Sequence, residues 1–171
     1  VDDIKIVDAN TVWALGYDGS STTPANVQEF TKTTNGGTTW TTGTVNVSNT
    51  GLTLTNISAA SSTVAWVGAV DAANGGGGVW KTSDGGATWT KQNTSAYSTT
   101  GSLASYFNVV HFFDANNGLT QGDPIGTGVG EFEVYRTTNG GTSWTAVPAA
   151  SLPNPATGEY GYNGGNVGAG N

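Results

Sequence analysis

The side chains able to do chemistry in this sequence are few, and the most suggestive fall in three Gly-containing insertions: Tyr17 with Asp18, Asp71, and Asp123 with Glu131. Carboxylates beside an aromatic ring suit a carbohydrate, or a calcium-assisted surface on which several carboxylates gather round one cation. Asp and Gly are also ordinary turn formers, so the same residues have a reading as plain loop chemistry. The rest of the inventory narrows the options. The chain has no cysteine, which removes thiolate nucleophiles, thiolate zinc sites and disulfides together. His111 is the only histidine and sits in the apolar stretch VVHFFD, where it reads as a packed or rim residue rather than a catalyst. The GGGG run at 75–78 lacks a following Lys and helix, so it reads as a flexible loop and not a phosphate cradle.

Charge excludes further classes. Five Lys and Arg stand against twelve Asp and Glu, a net charge of -7 with no basic cluster, which argues against nucleic acid and anionic membrane surfaces as partners. The longest apolar runs, such as Val64 to Val70, fall far short of the roughly 20 residues a membrane-spanning helix needs. Only 10% of residues are charged, and solubility rests on Thr, Ser, Asn and Gly, a surface that fits a secreted, extracellular or cell-surface protein. The chain opens at Val1 without a preceding Met, which reads as processed or partial. Sequons occur at Asn46, Asn56 and Asn93, as chance alone produces in so Asn- and Thr-rich a chain.

The elements that must position these residues are legible from internal repetition. Three nonamers align without gaps: KTTNGGTTW at 32–40, KTSDGGATW at 81–89 and RTTNGGTSW at 136–144. Their fourth positions, Asn35, Asp84 and Asn139, are 49 and 55 residues apart, the period of a four-stranded propeller blade. A looser repeat precedes each nonamer and places Trp13, Trp66 and Leu119 at intervals of 53 and 53. Period-2 alternation then predicts four strands per unit. The first covers Ile4–Val7, Leu54–Ile57 and Val109–Phe113, and the second carries Trp13, Trp66 or Leu119. The third covers Glu29–Lys32, Val79–Lys81 and Phe132–Arg136, and the fourth starts at Trp40, Trp89 or Trp144. The predicted fold is all-β: propeller blades of four antiparallel strands over 1–50, 51–100 and 101–152, with the start of a further blade over 153–171, all one domain.

Within each nonamer the Gly-Gly pair supplies the positive φ of a tight third-to-fourth-strand turn. Asn35, Asp84 and Asn139 fold a side-chain oxygen back on the turn's own N–H groups, and the following Trp packs on the blade. A motif that recurs once per blade reads as a stitch in the scaffold rather than a site.

The nonamers resemble the Asp-box, Ser/Thr-x-Asp-x-Gly-x-Thr-Trp, of sialidases, sortilin-type receptors, xyloglucan-degrading glycosidases and photosystem-assembly-factor repeats. The matching positions are Thr33, Asn35, Gly37 and Trp40; Thr82, Asp84, Gly86 and Trp89; and Thr137, Asn139, Gly141 and Trp144. Two boxes, 33–40 and 137–144, carry Asn in place of Asp, whereas 82–89 keeps the carboxylate. The stretches NVQEFTKTTNGGTTW, VHFFDANNGLTQGDP, EFEVYRTTNGGTSW and VPAASLPNPATGEYG resemble secreted propeller proteins of Bacteroidota, which implies type IX secretion.

Blade geometry puts the nonamer turns on one face and the insertions 17–28, 69–78 and 122–131 on the other, where long loops on a rigid scaffold bind ligands. The expected function is therefore a non-catalytic binding or structural module for a protein or glycan, with no cofactor. The resemblance implies one alternative, and exposed blade edges suggest another. One is a fragment of a glycoside hydrolase, with Asp18, Asp71 and Asp123 supplying two carboxylates about 5–9.5 Å apart. The other is a subunit of an extracellular assembly. Arg136 is the only arginine and belongs to a nonamer, which argues against the arginine cluster of a sialidase. Three blades are fewer than the four to eight of closed propellers, so the remaining blades are expected from a longer chain or from partner copies. An open arc is expected to expose core aromatics such as Trp13 and Phe112.

Overall fold

The computed structural model describes residues 3–19, 26–71, 77–92, 106–124 and 130–161. Alternating runs of Val, Ile, Thr and aromatic residues form three four-stranded antiparallel meanders, the blades of a partial propeller. The first contains β1 (Ile4–Ile6), β2 (Val12–Leu15), β3 (Glu29–Thr33) and β4 (Thr41–Thr44). The second contains β5 (Thr53–Ala59), β6 (Ala65–Val70), β7 (Gly77–Thr82) and β8 (Thr90–Lys91), and the third β9 (Phe107–Phe112), β10 (Gly118–Pro124), β11 (Phe132–Thr137) and β12 (Thr145–Ala146). Neighbours in sequence are neighbours in each sheet. A 3-10 turn at Ala149–Ser151 comes next, and no strand occurs over 152–161.

Register decides which side chains meet the next sheet. Trp13 lies opposite Lys32, Trp66 opposite Lys81 and Leu119 opposite Arg136. Because side chains alternate across a strand, these pairs share one face with every second neighbour. The face carrying Trp13, Leu15 and Phe30 packs on Ile57, Val67 and Trp89 of the second sheet. The opposite face of the second sheet, with Trp66, Val70 and Val79, packs on Phe107, Val110 and Phe112 of the third. Two aromatic clusters thus fill the two inter-sheet layers. In the first, the rings of Trp13, Phe30 and Trp89 lie 5.1–6.5 Å apart. In the second, Trp66 and Phe112 stack at 3.5 Å with 7° between planes.

The first strands of the sheets adjoin through side chains that imitate a strand partner. The Asn56 carboxamide donates to Val110 O at 2.8 Å and accepts from Val110 N at 2.9 Å. Ser58 Oγ accepts from Phe112 N, and Asp3 Oδ2 accepts from Ile57 N at 2.8 Å. Asn56 is therefore a buried structural residue in the folded chain rather than an accessible sequon; Asn93 lies outside the described residues.

Several sequence expectations need correction. The fourth strands start one residue after each Trp, because the Trp still belongs to the turn. Trp40 does not pack on its blade but is 47% exposed, since its counterpart Trp89 packs on the preceding sheet and the first sheet has no such neighbour among the described residues. Trp13 and Phe112 are buried rather than exposed, because each faces another sheet of the arc. Gly77 and Gly78 are not loop residues: they pair with Val70 and Ala69 in β7, with φ of 138° and 140° that disfavour any side chain. The second and third insertions are correspondingly shorter than expected, since Ala69 and Gly122 lie in strands.

Candidate functional site

Along one rim of the arc the three nonamers fold alike, one in each sheet. The Asn35, Asp84 and Asn139 Oδ1 atoms each accept a backbone N–H four residues on, from Thr39, Thr88 and Ser143, at 2.9 Å. The Thr33, Thr82 and Thr137 hydroxyls accept from Gly37, Gly86 and Gly141 N–H at 2.8–3.0 Å. Positive φ at each Gly-Gly pair makes this possible. Gly86 has a second reason to be glycine, because a Cβ there would enter the Phe30 ring. Each nonamer also leans on the turn between the first two strands of its sheet: Gly36, Gly85 and Gly140 N–H donate to Asn10, Thr63 and Asn116 O at 2.8–3.0 Å. Asp84 alone carries charge, and the Thr88 hydroxyl, then the Thr88 N–H and the Thr82 hydroxyl, hold its carboxyl down at about 2. The Asx side chains spend their hydrogen bonds within the turn, which leaves it a scaffold.

The nonamer's first residue has a role that its sequence pattern does not announce. Lys32 lies over the Trp13 ring at 4.4 Å and donates to Ser62 O and Gly85 O of the next sheet, both at 2.9 Å. Lys81 lies over Trp66 at 5.2 Å and donates to Gly140 O at 2.9 Å. The Trp13 and Trp66 indoles add donations to Ser61 O at 3.0 Å and Gly140 O at 3.1 Å. Burial holds both ammonium groups below the usual lysine range. A basic residue at this position in every repeat is visible in the sequence; its partner, a backbone carbonyl, has no signature there.

The opposite rim holds the residues read as ligand-facing. Tyr17 is exposed, and Asp18 and Asp71 are half-buried beside the segments 20–25 and 72–76, which lie outside the described residues together with 125–129. Asp123 is at the end of β10, where its Oδ1 accepts from Asn108 Nδ2 at 2.7 Å and Gly161 N at 2.8 Å. It anchors the segment after the third sheet. Among the described residues, no three His, Asp or Glu side chains gather in a way that could hold a metal ion. His111, in β9, meets Phe113 edge to face at 4.8 Å, and burial with the nearby Lys5 charge pushes its imidazole below the usual range.

Glu131, of these five, lies at a cavity of about 340 Å3 between β11, β12 and the 3-10 turn. Phe132, Val134, Val147 and Leu152 supply apolar wall, and Glu131 and Glu133 are also among its lining residues. The volume falls within the roughly 300–1,000 Å3 of ligand pockets. Glu133 is buried and accepts the Tyr135 hydroxyl at 2.8 Å; burial first, and then this carboxylate, push the phenol well above its usual range. Glu133 and Tyr135 do not stand out in the sequence, although the spacing of Glu131, Glu133 and Tyr135 by two is the available signal. Chemically, the pocket can seat an apolar or aromatic group.

No protein-family model matches the chain, and no curated protein matches it in sequence. Among solved structures, YCF48 bound to D1 peptide is similar with a TM-score of 0.56 and 19% identity, over 84% of this chain and 39% of that one. YCF48 from Cyanidioschyzon merolae gives 0.51 and 18%, over 84% and 38%. The GH74 xyloglucanase from Xanthomonas campestris gives 0.48 and 18%, over 77% and 20%. The first two likenesses show the β-propeller fold, and the chain spans about two fifths of their length.

Proposed function

We propose that the chain is an arc of an Asp-box β-propeller that serves as a non-catalytic binding module for a protein ligand. The pocket between β11 and β12 carries the reading, because it offers apolar wall on rigid strands. That YCF48 is seen with a bound peptide supports protein over glycan. The nonamer hydrogen bonds, repeated in all three sheets, support assignment to the Asp-box group as scaffold residues. The charge-poor, Thr- and Asn-rich composition supports work outside the cell or at its surface, and the resemblance to secreted Bacteroidota propellers supports type IX export. Binding rather than hydrolysis is favoured because Asp123, a proposed rim acid, is held by two donors, Asn108 in β9 and Gly161 beyond the 3-10 turn.

The test is a peptide and glycan array probed with the 171-residue protein and with Val134→Asp, which puts a charge in the pocket wall. Peptide binding weakened at least about tenfold by the substitution is expected. Release of reducing ends from any polysaccharide, lost in Glu131→Gln or Asp123→Asn, would replace this reading with a glycoside hydrolase.

A further inference from the structure

Two of the three nonamers carry an Asn–Gly step, Asn35–Gly36 and Asn139–Gly140, where the middle one has Asp84–Gly85. Such a step is open to spontaneous deamidation, because Asn is a labile residue and glycine puts no side chain in the way. The glycine nitrogen gives up its proton and attacks the Asn Cγ; the new C–N bond closes a five-membered imide as the Cγ–Nδ2 bond breaks and ammonia leaves. Water then opens the ring to Asp or isoaspartate, so amide and water give acid and ammonia with no redox change. Two motions are required. The glycine N–H must be freed from any acceptor, and the side-chain amide must swing onto it. A further step among the described residues, Asn117–Gly118, has its glycine inside β10, paired with both β9 and β11.

Both motions are blocked in both nonamer turns. Gly36 N–H donates to Asn10 O at 3.0 Å and Gly140 N–H to Asn116 O at 2.8 Å, so each nucleophile is spent on the turn beside it. Those adjoining turns are themselves fixed. Asp8 Oδ1 accepts from Asn10 N and Thr11 N at 2.7 and 2.8 Å, and Asp114 Oδ1 accepts from Asn116 N and Asn117 N, both at 2.7 Å. The amides are held by other partners. Asn35 Oδ1 accepts from the Thr33 hydroxyl at 3.0 Å as well as from Thr39 N, and its Nδ2 donates to Thr39 Oγ1 at 2.9 Å. Asn139 repeats this with the Thr137 hydroxyl at 3.0 Å, Ser143 N, and Ser143 Oγ at 2.8 Å. Donors on Oδ1 would assist attack on Cγ only if the glycine nitrogen could arrive, so what counts is that nucleophile and amide are kept on separate partners. In the second sheet, which has no amide to preserve, Ser61 stands in the place of Asp8 and Asp114 and accepts from Thr63 N and Val64 N.

We infer that the nonamer turn, with the first-to-second-strand turn beside it, shields its own Asn–Gly step from deamidation. Asp8 and Asp114 are positioning residues: each holds the turn whose carbonyl occupies the glycine N–H. The shield accounts for the tolerance of Asn in two boxes where the Asp-box has Asp. Conversion would be costly in either form. Isoaspartate adds a methylene to the backbone between the groups that close the turn, and Asp adds a second acid to a pair of turns that carries one in each sheet: Asp8, Asp84 and Asp114.

Peptide mapping by mass spectrometry, scoring Asp and isoaspartate at each step, tests this on the 171-residue protein held at mildly alkaline pH, folded and in guanidinium chloride. Asn35 and Asn139 should convert at least about 30-fold more slowly in the folded chain, since two or more hydrogen bonds must open before attack. Thr39→Val, which frees Nδ2, and Asp8→Ala, which loosens the turn holding the Asn10 carbonyl, should each speed conversion at Asn35 about three- to tenfold. Asn139 should keep its original rate in both variants, and so reports any general loss of stability in the same molecule. Equal rates in folded and unfolded chains, a rise at Asn35 and Asn139 together, or no rise in either variant overturns the inference.

Discussion

The two inter-sheet layers do the same job with different fillings. Between the first and second sheets the rings come from Trp13 on β2, Phe30 on β3 and Trp89 after the second nonamer turn, all tilted or edge-on. Between the second and third, Phe112 on β9 takes the place of the β3 ring and lies flat on Trp66, with Trp144 edge-on at 5.8 Å. The inner strands differ too: one side-chain acceptor, Asp3, bridges the first layer, whereas Asn56 and Ser58 make three bridging bonds in the second. What stays the same is the ammonium and indole donating to carbonyls. The repeat therefore preserves its polar fastening and lets packing vary around it, because apolar volume can be filled from several positions whereas a buried carbonyl needs a donor at one.

Substitutions can separate filling from fastening. The largest effect is expected from Trp66→Ala, which removes a fully buried indole from its stacked partner and should cost about 3–5 kcal/mol in equilibrium urea unfolding. Asn56→Ala leaves a buried N–H and C=O of Val110 without their partner and should cost about 2–3 kcal/mol, with faster amide exchange confined first to β9. A similar loss for Asp3→Ala would show that the two layers depend equally on inner-strand bridges. Lys32→Met, which deprives two carbonyls, should cost about 1–2 kcal/mol and more than Lys81→Met, whose acceptor, the Gly140 carbonyl, keeps the Trp66 indole as a donor. The smallest effect concerns the middle turn. Asp84 is titratable whereas Asn35 and Asn139 are not, and its folded value of about 2 lies below the ordinary 3.8. Its contribution is present above about pH 4 and lost as pH falls toward 2. Asp84→Asn should leave neutral-pH stability nearly unchanged and flatten that part of the acid-unfolding curve.

The alternation and the nonamers made the strand order legible in the sequence, because both are local patterns that the backbone reads directly. Strand ends were less so: Trp40, Trp89 and Trp144 look like the first residues of strands, yet each completes its turn before the ladder begins. Burial of Trp13 and Phe112 was not legible, because it depends on which sheet stands on which side, and no single repeat carries that information. At the candidate site, Glu131 was legible as an acid in a loop, whereas Glu133 and Tyr135 look like ordinary strand residues. Asp123 was legible as a rim carboxylate, but not as an anchor, since its donors Asn108 and Gly161 are 15 and 38 residues away.

The bridging by Asn56, Ser58 and Asp3 also bears on solubility. A strand at the side of a sheet offers unpaired N–H and C=O groups to any passing chain and is a template for amyloid-like growth. Here the inner sides of β5 and β9 are blunted by side chains of the neighbouring sheet that occupy backbone positions without being backbone. Strand addition is closed off at those sides, because the groups that would template it are already occupied.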